Sequence, residues 1–197
     1  TTDVGEEPMH AWYCGAGKAP GLRGMQEIAN ERHNKIEGIV AEAIGQLPGK
    51  KAQQQVQYLH TELTADIAMN GDELFIDVAV AAPMAPSYIK NTRSHRVPGA
   101  AAEARHKQKG VKYDNALNPD GSQQAMRAKA TGRRNARDCE PFILETTGRP
   151  AKKTEKWLEE LFKGQGTILR EMYRKISYTL ARSGGELLQM CAAMAAG

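Results

Sequence analysis

Two short runs of apolar, β-prone residues flank the dipeptide Asn70-Gly71 and form the clearest pattern in the chain. Asn-Gly is the strongest short hairpin signal, because both residues accept the positive φ angles of a type I′ turn. A two-residue turn of this kind pairs Met69 with Asp72. The sequence therefore predicts a β-hairpin whose register follows from that single pair.

The predicted register brings two aspartates together. It places Asp66 opposite Phe75, and residues that are paired across strands or lie two apart on one strand share a face. Asp66 and Asp77 are then diagonal neighbours on one face, about 7–8 Å apart at the backbone. Two carboxylates at this spacing can converge on one hard divalent cation.

Asp77 has an unusual position for an acid. Aspartate is depleted in strands, yet Asp77 lies within the run 75–80, which is apolar on both faces as in a central strand. A buried carboxylate has to be paired or bound to a metal. The alternative to a metal ligand is a structural aspartate that an arginine or backbone amides neutralise.

Hydrophobic periodicity predicts a helix from Met25 to Leu47, which Pro48-Gly49 ends. His33 falls within the apolar stripe of this helix, where it is either a core histidine or a ligand. Glu37 falls on the edge of the stripe, where we expect a solvated side chain; a metal ligand is the alternative. The other predicted elements are a strand over 53–62, a basic loop over 87–99, a helix over 99–117, a fraying helix over 122–138, a strand over 141–146, and helices from 152 onward with breaks at 164–166 and 184–185.

This order predicts an α/β fold with a small mixed sheet, a central β-hairpin and flanking helices. We expect a loosely ordered segment over 1–24, an α/β core over 25–150 and a helical extension over 151–197 that packs on the core. The first residue is Thr1, so the chain is expected to be a piece of a longer protein, and its acidic start does not resemble a signal peptide.

The composition, 41% hydrophobic and 25% charged, is that of a soluble globular protein with no membrane-spanning helix. The three cysteines, Cys14, Cys139 and Cys191, stand far apart, which argues against a disulfide framework and favours a reducing, intracellular compartment. Their spacing matches no zinc motif, so zinc is not expected. Aromatic residues make up only 6%, which leaves few stacking platforms for single strands.

Basic residues concentrate in one segment. Between Ser87 and Arg137 there are twelve Lys or Arg and three acidic residues, whereas the rest of the chain is acidic overall. Such a concentration is typical of phosphate binding. A solvated loop is the alternative for 131–137.

The helix over 99–117 supplies a second candidate chemistry. Helical spacing aligns Arg105, Lys109, Lys112 and Tyr113. Metal-dependent nucleases combine carboxylates with a lysine that stabilises charge on the phosphate. Because Ala79 stands two residues after Asp77, the strand offers no lysine, and Lys109 or Lys112 could replace it. The alternative is a basic stripe that only contacts phosphates.

Several segments, taken in chain order, complete a family pattern. They are Arg32-His33-Asn34, Ala65-Asp66-Ile67, the strand 75–80 followed by Pro83, Lys109-x-x-Lys112-Tyr113, and Pro141–Gly148. The pattern resembles the restriction-like endonuclease domain of non-LTR retrotransposon proteins, a branch of the PD-(D/E)xK nuclease superfamily. The same superfamily includes Holliday-junction resolvases.

The resemblance implies a nuclear, Mg²⁺- or Mn²⁺-dependent endonuclease that nicks DNA and leaves a 3′-hydroxyl for primed reverse transcription. Its partners would be DNA and the other domains of a reverse-transcriptase polyprotein. It makes Asp66 and Asp77 the metal ligands and Lys109 and Lys112 catalytic residues. The expected nucleic-acid-binding residues are Arg32, His33, Lys90, Arg93, Arg96, Arg105, Tyr113, Arg133 and Arg134.

Two other functions stay open on the sequence. One is a catalytically inactive nuclease fold that only binds nucleic acid. The other is a helical interaction module that buries Trp157, Leu161, Leu169 and Ile176 against a partner protein.

Overall fold

A computed structural model describes residues 24–57, 64–70, 74–117 and 138–196. In chain order its elements are α1 (Met25–Gly45), β1 (Ala52–Gln57), β2 (Thr64–Met69), β3 (Leu74–Ala81), α2 (Pro86–Thr92), α3 (Ala100–Leu117), β4 (Asp138–Glu145), α4 (Lys152–Leu161) and α5 (Gly166–Ala196). Within these ranges no helix has both the length and the apolar character that crossing a bilayer requires.

The four strands form one mixed sheet in the order β1-β2-β3-β4. The pairs β1–β2 and β2–β3 are antiparallel, while β4 runs parallel to β3. The predicted mixed sheet with flanking helices is therefore confirmed at the level of an α/β fold. β3 lies inside the sheet, and most of its residues are buried, as expected for the strand that carries Asp77.

The hairpin register differs from the prediction. Met69 pairs with Leu74 rather than Asp72, and Ala68 rather than Asp66 lies opposite Phe75. The reason lies in Asn70, whose backbone N–H donates to the Lys51 carbonyl at 2.8 Å and whose Oδ1 accepts from the Lys51 N–H at 3.0 Å. Asn70 keeps the predicted positive φ, but it bonds to the segment before β1, and the connection between β2 and β3 spans four residues.

One hydrophobic core holds most of the helices on one face of the sheet. Its largest fully buried members come from β2, β3, β4, α1, α4 and α5: Ile67, Ile76, Phe142, Leu144, Ile36, Ile44, Leu158, Met172 and Ile176. The buried residues of the predicted C-terminal extension, α4 and α5, thus pack in the same core as those of α1 and the sheet. A smaller cluster of Ala79, Ala102, Ile143 and Ala151 packs α3 against the opposite face.

Two other expectations were wrong. The segment 87–99 was predicted to be a loop, but α2 occupies its first part, because Pro86 stands in the first turn with a φ suited to a helix. The predicted break at Gly184-Gly185 is absent from α5. Glycine costs a helix interior about 1 kcal/mol, but the flanking Leu180 and Leu187 are buried and hold this turn in place.

Some predicted segments have other bounds in the structure, and others lie partly or wholly outside the described residues. The helix predicted over 25–47 ends at Gly45. The strand predicted over 53–62 corresponds to β1, and residues 58–63 are not described. The expected loose segment over 1–24 and the fraying helix over 122–138 fall almost entirely in ranges that are not described. The strand predicted over 141–146 begins earlier, at Asp138.

Candidate metal centre

Three polar residues form a row across the first three strands. The β1–β2 pairing includes Gln54 with Ile67, and the β2–β3 pairing includes Ile67 with Ile76. Continuing each register by one residue places Gln55, Asp66 and Asp77 side by side. The sheet is irregular along this row, since Gln55 has a φ of 52°.

At this irregular point of the sheet, the side chain of Asp66 bonds to the backbone of the neighbouring strand β3. Its Oδ2 accepts a hydrogen bond of 2.7 Å from the backbone N–H of Val78. Its other oxygen, Oδ1, lies 3.4 Å from Nε2 of His33 on α1. The side chain of Asp66 is largely buried, with 15% exposed. A single carboxylate therefore connects β2, β3 and α1.

Glu37 lies one helical turn after His33 and is only 2% exposed. The expectation that this side chain is solvated was wrong. Its Oε2 accepts a hydrogen bond of 2.6 Å from Nε2 of Gln55. Burial raises the pKa of Glu37, and the nearby Asp66 raises it further, while the bond from Gln55 and the charge of His33 oppose this rise.

His33 is a half-exposed histidine surrounded by acids. Its hydrogen bond with Asp66 raises its pKa above the ordinary value of 6.5, and burial opposes this shift. The charges of Asp66, Glu37 and Asp77 add to the increase. Asp77 is therefore close enough to act on the same imidazole.

These contacts assemble a donor group that differs from the predicted pair. One ligand atom each from His33, Glu37 and Asp66 lies within 4.8 Å of the other two. Two carboxylates suit Mg²⁺, Ca²⁺ or Mn²⁺, and an imidazole favours Mn²⁺ and later transition metals over Mg²⁺. The donor set fits a divalent cation and provides one nitrogen ligand that the sequence prediction of Asp66 with Asp77 did not include.

Asp77 forms an ion pair with a lysine of α3. Nζ of Lys109, on α3, lies 2.9 Å from Oδ1 and 2.8 Å from Oδ2 of Asp77. The side chain of Asp77 is buried, with 7% exposed, and that of Lys109 is partly buried, with 15% exposed. Ala79 packs against Ala102 of α3 in the small cluster, so this helix lies over the strand that carries Asp77.

The other predicted residues are more scattered. Lys112 is exposed on α3, and Arg105 is half-exposed. Lys90, Arg93 and Arg96 are exposed on or just after α2, which packs beside α3. Tyr113 belongs to α3, but its side chain is not described, and Arg133 and Arg134 lie outside the described residues. Arg32 is on the side of α1 that faces α5.

Sequence reasoning missed Gln55 and undervalued Glu37. The spacing of His33 and Glu37, four residues apart on a helix, places both side chains on one face and could have marked them as a pair. No comparable signal marks Gln55, because a left-handed φ at a glutamine inside a strand depends on the surrounding structure.

Neither a protein-family model nor a curated protein matches the chain.

Proposed function

We propose that the chain is a Mg²⁺- or Mn²⁺-dependent DNA endonuclease domain with a PD-(D/E)xK core, of the kind carried by non-LTR retrotransposon proteins. The observation that carries the proposal is the buried ion pair between Asp77 and Lys109, next to the donor group of His33, Glu37 and Asp66. An acid on a central strand, a second acid on the adjacent hairpin strand and a lysine are the parts that metal-dependent phosphodiester cleavage requires.

The arrangement of the elements supports the same core. The hairpin β2–β3 and the parallel strand β4 form the centre of the sheet, with α1 packed on one face and α3 on the other. The order of elements along the chain also agrees with the motifs that carry the family resemblance. That α1 supplies Glu37 and α3 supplies Lys109 gives each helix a role at the site.

The donor group of His33, Glu37 and Asp66 would hold the cation, and the resemblance makes Asp77 a further ligand. A bound divalent cation supplies an activated water and neutralises charge on the phosphate. Asp77 keeps the Lys109 ammonium beside the carboxylates, where it would stabilise the negative charge that develops on the phosphate oxygens. Val78 fixes Asp66 through its backbone N–H, so the carboxylate is oriented before any ligand binds.

DNA would lie along the basic surface formed by Lys90, Arg93, Arg96 and Arg105. These side chains are exposed or half-exposed on and after α2 and on α3, and α3 also carries Lys109. Phosphate contacts of this type give affinity without sequence selection. The other domains of a reverse-transcriptase polyprotein would then select the target, and the nucleus would be the place of action.

A plasmid assay tests the proposal. With Mn²⁺ or Mg²⁺, the wild-type chain should convert supercoiled plasmid to the nicked circle, and a DNA polymerase should extend the new 3′-hydroxyl. Asp77→Asn and Asp66→Asn should lose this product, whereas Lys163→Gln, at an exposed residue between α4 and α5, should keep it. Absence of nicking by folded wild-type chain, or equal nicking by all four proteins, contradicts the proposal.

One observation favours a catalytically inactive DNA-binding module as the second candidate. Lys109 already neutralises Asp77, so this acid is not required to bind a cation for stability. The module would bind DNA equally well with and without metal and would nick nothing. The helical interaction module loses support, because Ile176 is 1% exposed and Trp157, Leu161 and Leu169 pack against the chain's own core.

A further inference from the structure

A cavity of about 130 Å³ lies between α1 and α5, and we call it the α1–α5 cavity. Its α1 side includes Ile28, Arg32 and Lys35, which follow one another at helical spacing. His33 and Glu37 follow a different stripe of the same helix, toward β1 and β2. The cavity is therefore separate from the metal-binding donor group.

Arg32 brings a buried, unpartnered donor to this cavity. Its Nε is buried and has no hydrogen-bond partner within the described part of the chain. Burial lowers the pKa of the Arg32 guanidinium below its usual value, and no carboxylate raises it again. A buried donor without an acceptor is costly, particularly on a charged group. An arginine in this state suits an anion from outside the chain.

The acids that line the cavity are already engaged. Glu31 pairs with Lys35 on the same helix, and Glu186 accepts a 3.1 Å hydrogen bond from Nε of Arg182. Each pair lies within one helix, so the two carboxylates neutralise Lys35 and Arg182. Among the described residues, the lining contains no third carboxylate that could neutralise Arg32. The lining therefore carries a surplus of one positive charge.

Size restricts what this charge can attract. A water molecule takes about 30 Å³ of liquid volume, whereas sites for drug-sized ligands measure about 300–1,000 Å³. The α1–α5 cavity thus has room for one tetrahedral oxyanion and a few waters. The planar guanidinium matches phosphate oxygens with two parallel donors.

We propose that the α1–α5 cavity binds a single phosphate group, with Arg32 as its main hydrogen-bond donor. The phosphate is either free inorganic phosphate or a backbone phosphate of a nucleic acid whose chain continues outside the cavity, and the second source rests on the proposed function. Lys35 and Arg182 also line the cavity, each paired with a glutamate of its own helix. The site is remote from nicking chemistry and would anchor DNA on the far side of α1.

The test compares Arg32→Gln with Arg170→Gln, which removes an exposed arginine of α5, the helix on the opposite side of the cavity. Calorimetric titration with inorganic phosphate, and separately with a duplex that has no terminal phosphates, measures both sources. We expect the wild type and Arg170→Gln to bind at least one probe, and Arg32→Gln to bind that probe about tenfold more weakly or worse, as for loss of a charge-assisted bond. Arg32→Lys should give an intermediate loss of affinity, because lysine keeps the positive charge but lacks the two parallel donors of the guanidinium.

Either probe result identifies the source, since weakening for phosphate indicates a free anion and weakening for the duplex alone indicates a nucleic acid. Equal affinities in the wild type, Arg32→Gln and Arg32→Lys would overturn the inference, as would a wild type that binds neither probe. Circular dichroism confirms folding of each variant. If neither the wild type nor any variant nicks plasmid, only the proposed endonuclease function fails, because phosphate binding does not require cleavage.

Discussion

Lys109 on α3 holds the carboxylate of Asp77 on β3 with its ammonium within 2.9 Å of both oxygens, although 32 residues separate them in the chain. Asp77 is buried, so without Lys109 its carboxylate would be a desolvated charge. A strand and a helix on its face thus place an acid and a base together at the centre of the sheet.

Removing one member of this pair should strongly destabilise the fold. Lys109→Ala should lower the free energy of unfolding by about 3 kcal/mol, because it leaves a buried carboxylate uncompensated. Lys112→Ala, at an exposed position on the same helix, should change it by less than about 0.5 kcal/mol. Urea denaturation measures both values.

The double variant Lys109→Ala with Asp77→Ala completes the cycle. It should be more stable than the sum of the two single changes predicts, because removing both charges avoids the unpaired state. Strictly additive effects would show that the two side chains do not interact.

The imidazole of His33 should titrate above the ordinary pKa of 6.5, because Asp66 bonds to its protonated form. Nuclear magnetic resonance of the ring protons measures the value directly. In Asp66→Asn the pKa should fall, because burial then acts with less opposition. A pKa at or below 6.5 in the wild type would contradict the described contact.

The same shift makes a prediction about stability. Because the native pKa of His33 is raised, its contribution is complete below pH 6.5 and is lost as the pH rises through the native value. The stability difference between the wild type and His33→Gln should therefore shrink as the pH rises through that window. A difference that stays constant with pH would exclude the protonated pair.

Gln55 should act as a positioning residue for Glu37. Gln55→Gly removes the amide that bonds Glu37 but relieves the left-handed backbone, which costs a residue with a Cβ about 1–2 kcal/mol. Loss of a hydrogen bond to a charged group costs about 1.5–3 kcal/mol, so stability should change little. Mn²⁺ affinity should nevertheless fall about tenfold, as for other residues that orient metal ligands.

Gln53→Gly, at an exposed position of the same strand, is the matched control. It should lower stability slightly without changing Mn²⁺ affinity, since Gln53 pairs with Ala68 away from the donor group. Equal affinities for the wild type and Gln55→Gly would remove Gln55 from the metal centre.

The basic surface should bind DNA through salt-sensitive contacts. Each of Lys90→Gln, Arg93→Gln and Arg96→Gln should reduce the slope of log affinity against log salt by about one. Lys163→Gln should leave the slope unchanged. Fluorescence anisotropy of labelled DNA over a range of salt concentrations measures these slopes. An unchanged slope in all three variants would show that DNA does not bind at this surface.

The sequence predicted the fold better than it predicted the site. Hydrophobic periodicity located α1, alanine-rich turns located α3, and short apolar runs located β4 and identified β3 as a central strand. The hairpin itself was predicted, but its register was wrong, because Asn70 bonds to Lys51, a contact that no local pattern shows. A shift of register changes which residues face each other throughout the hairpin.

The site depends on contacts between elements that are far apart in the chain. Lys109 was a candidate because helical spacing aligned it with other basic residues, while its contact with Asp77 required the position of α3 on the sheet. Glu37 was expected to be solvated because its place at the edge of an apolar stripe does not reveal that Gln55 and Asp66 cover it. Whether these residues act on DNA stays a prediction.

Titration of the 197-residue chain with Mn²⁺ in a calorimeter tests the central claim most directly, because it measures the cation centre without requiring catalysis. We predict that the wild type binds Mn²⁺ and that Asp66→Asn and Glu37→Gln each weaken binding by about tenfold or more, while Glu103→Gln, on α3, does not. Wild-type affinity in both Asp66→Asn and Glu37→Gln, or no Mn²⁺ binding by the folded wild type, would contradict the account.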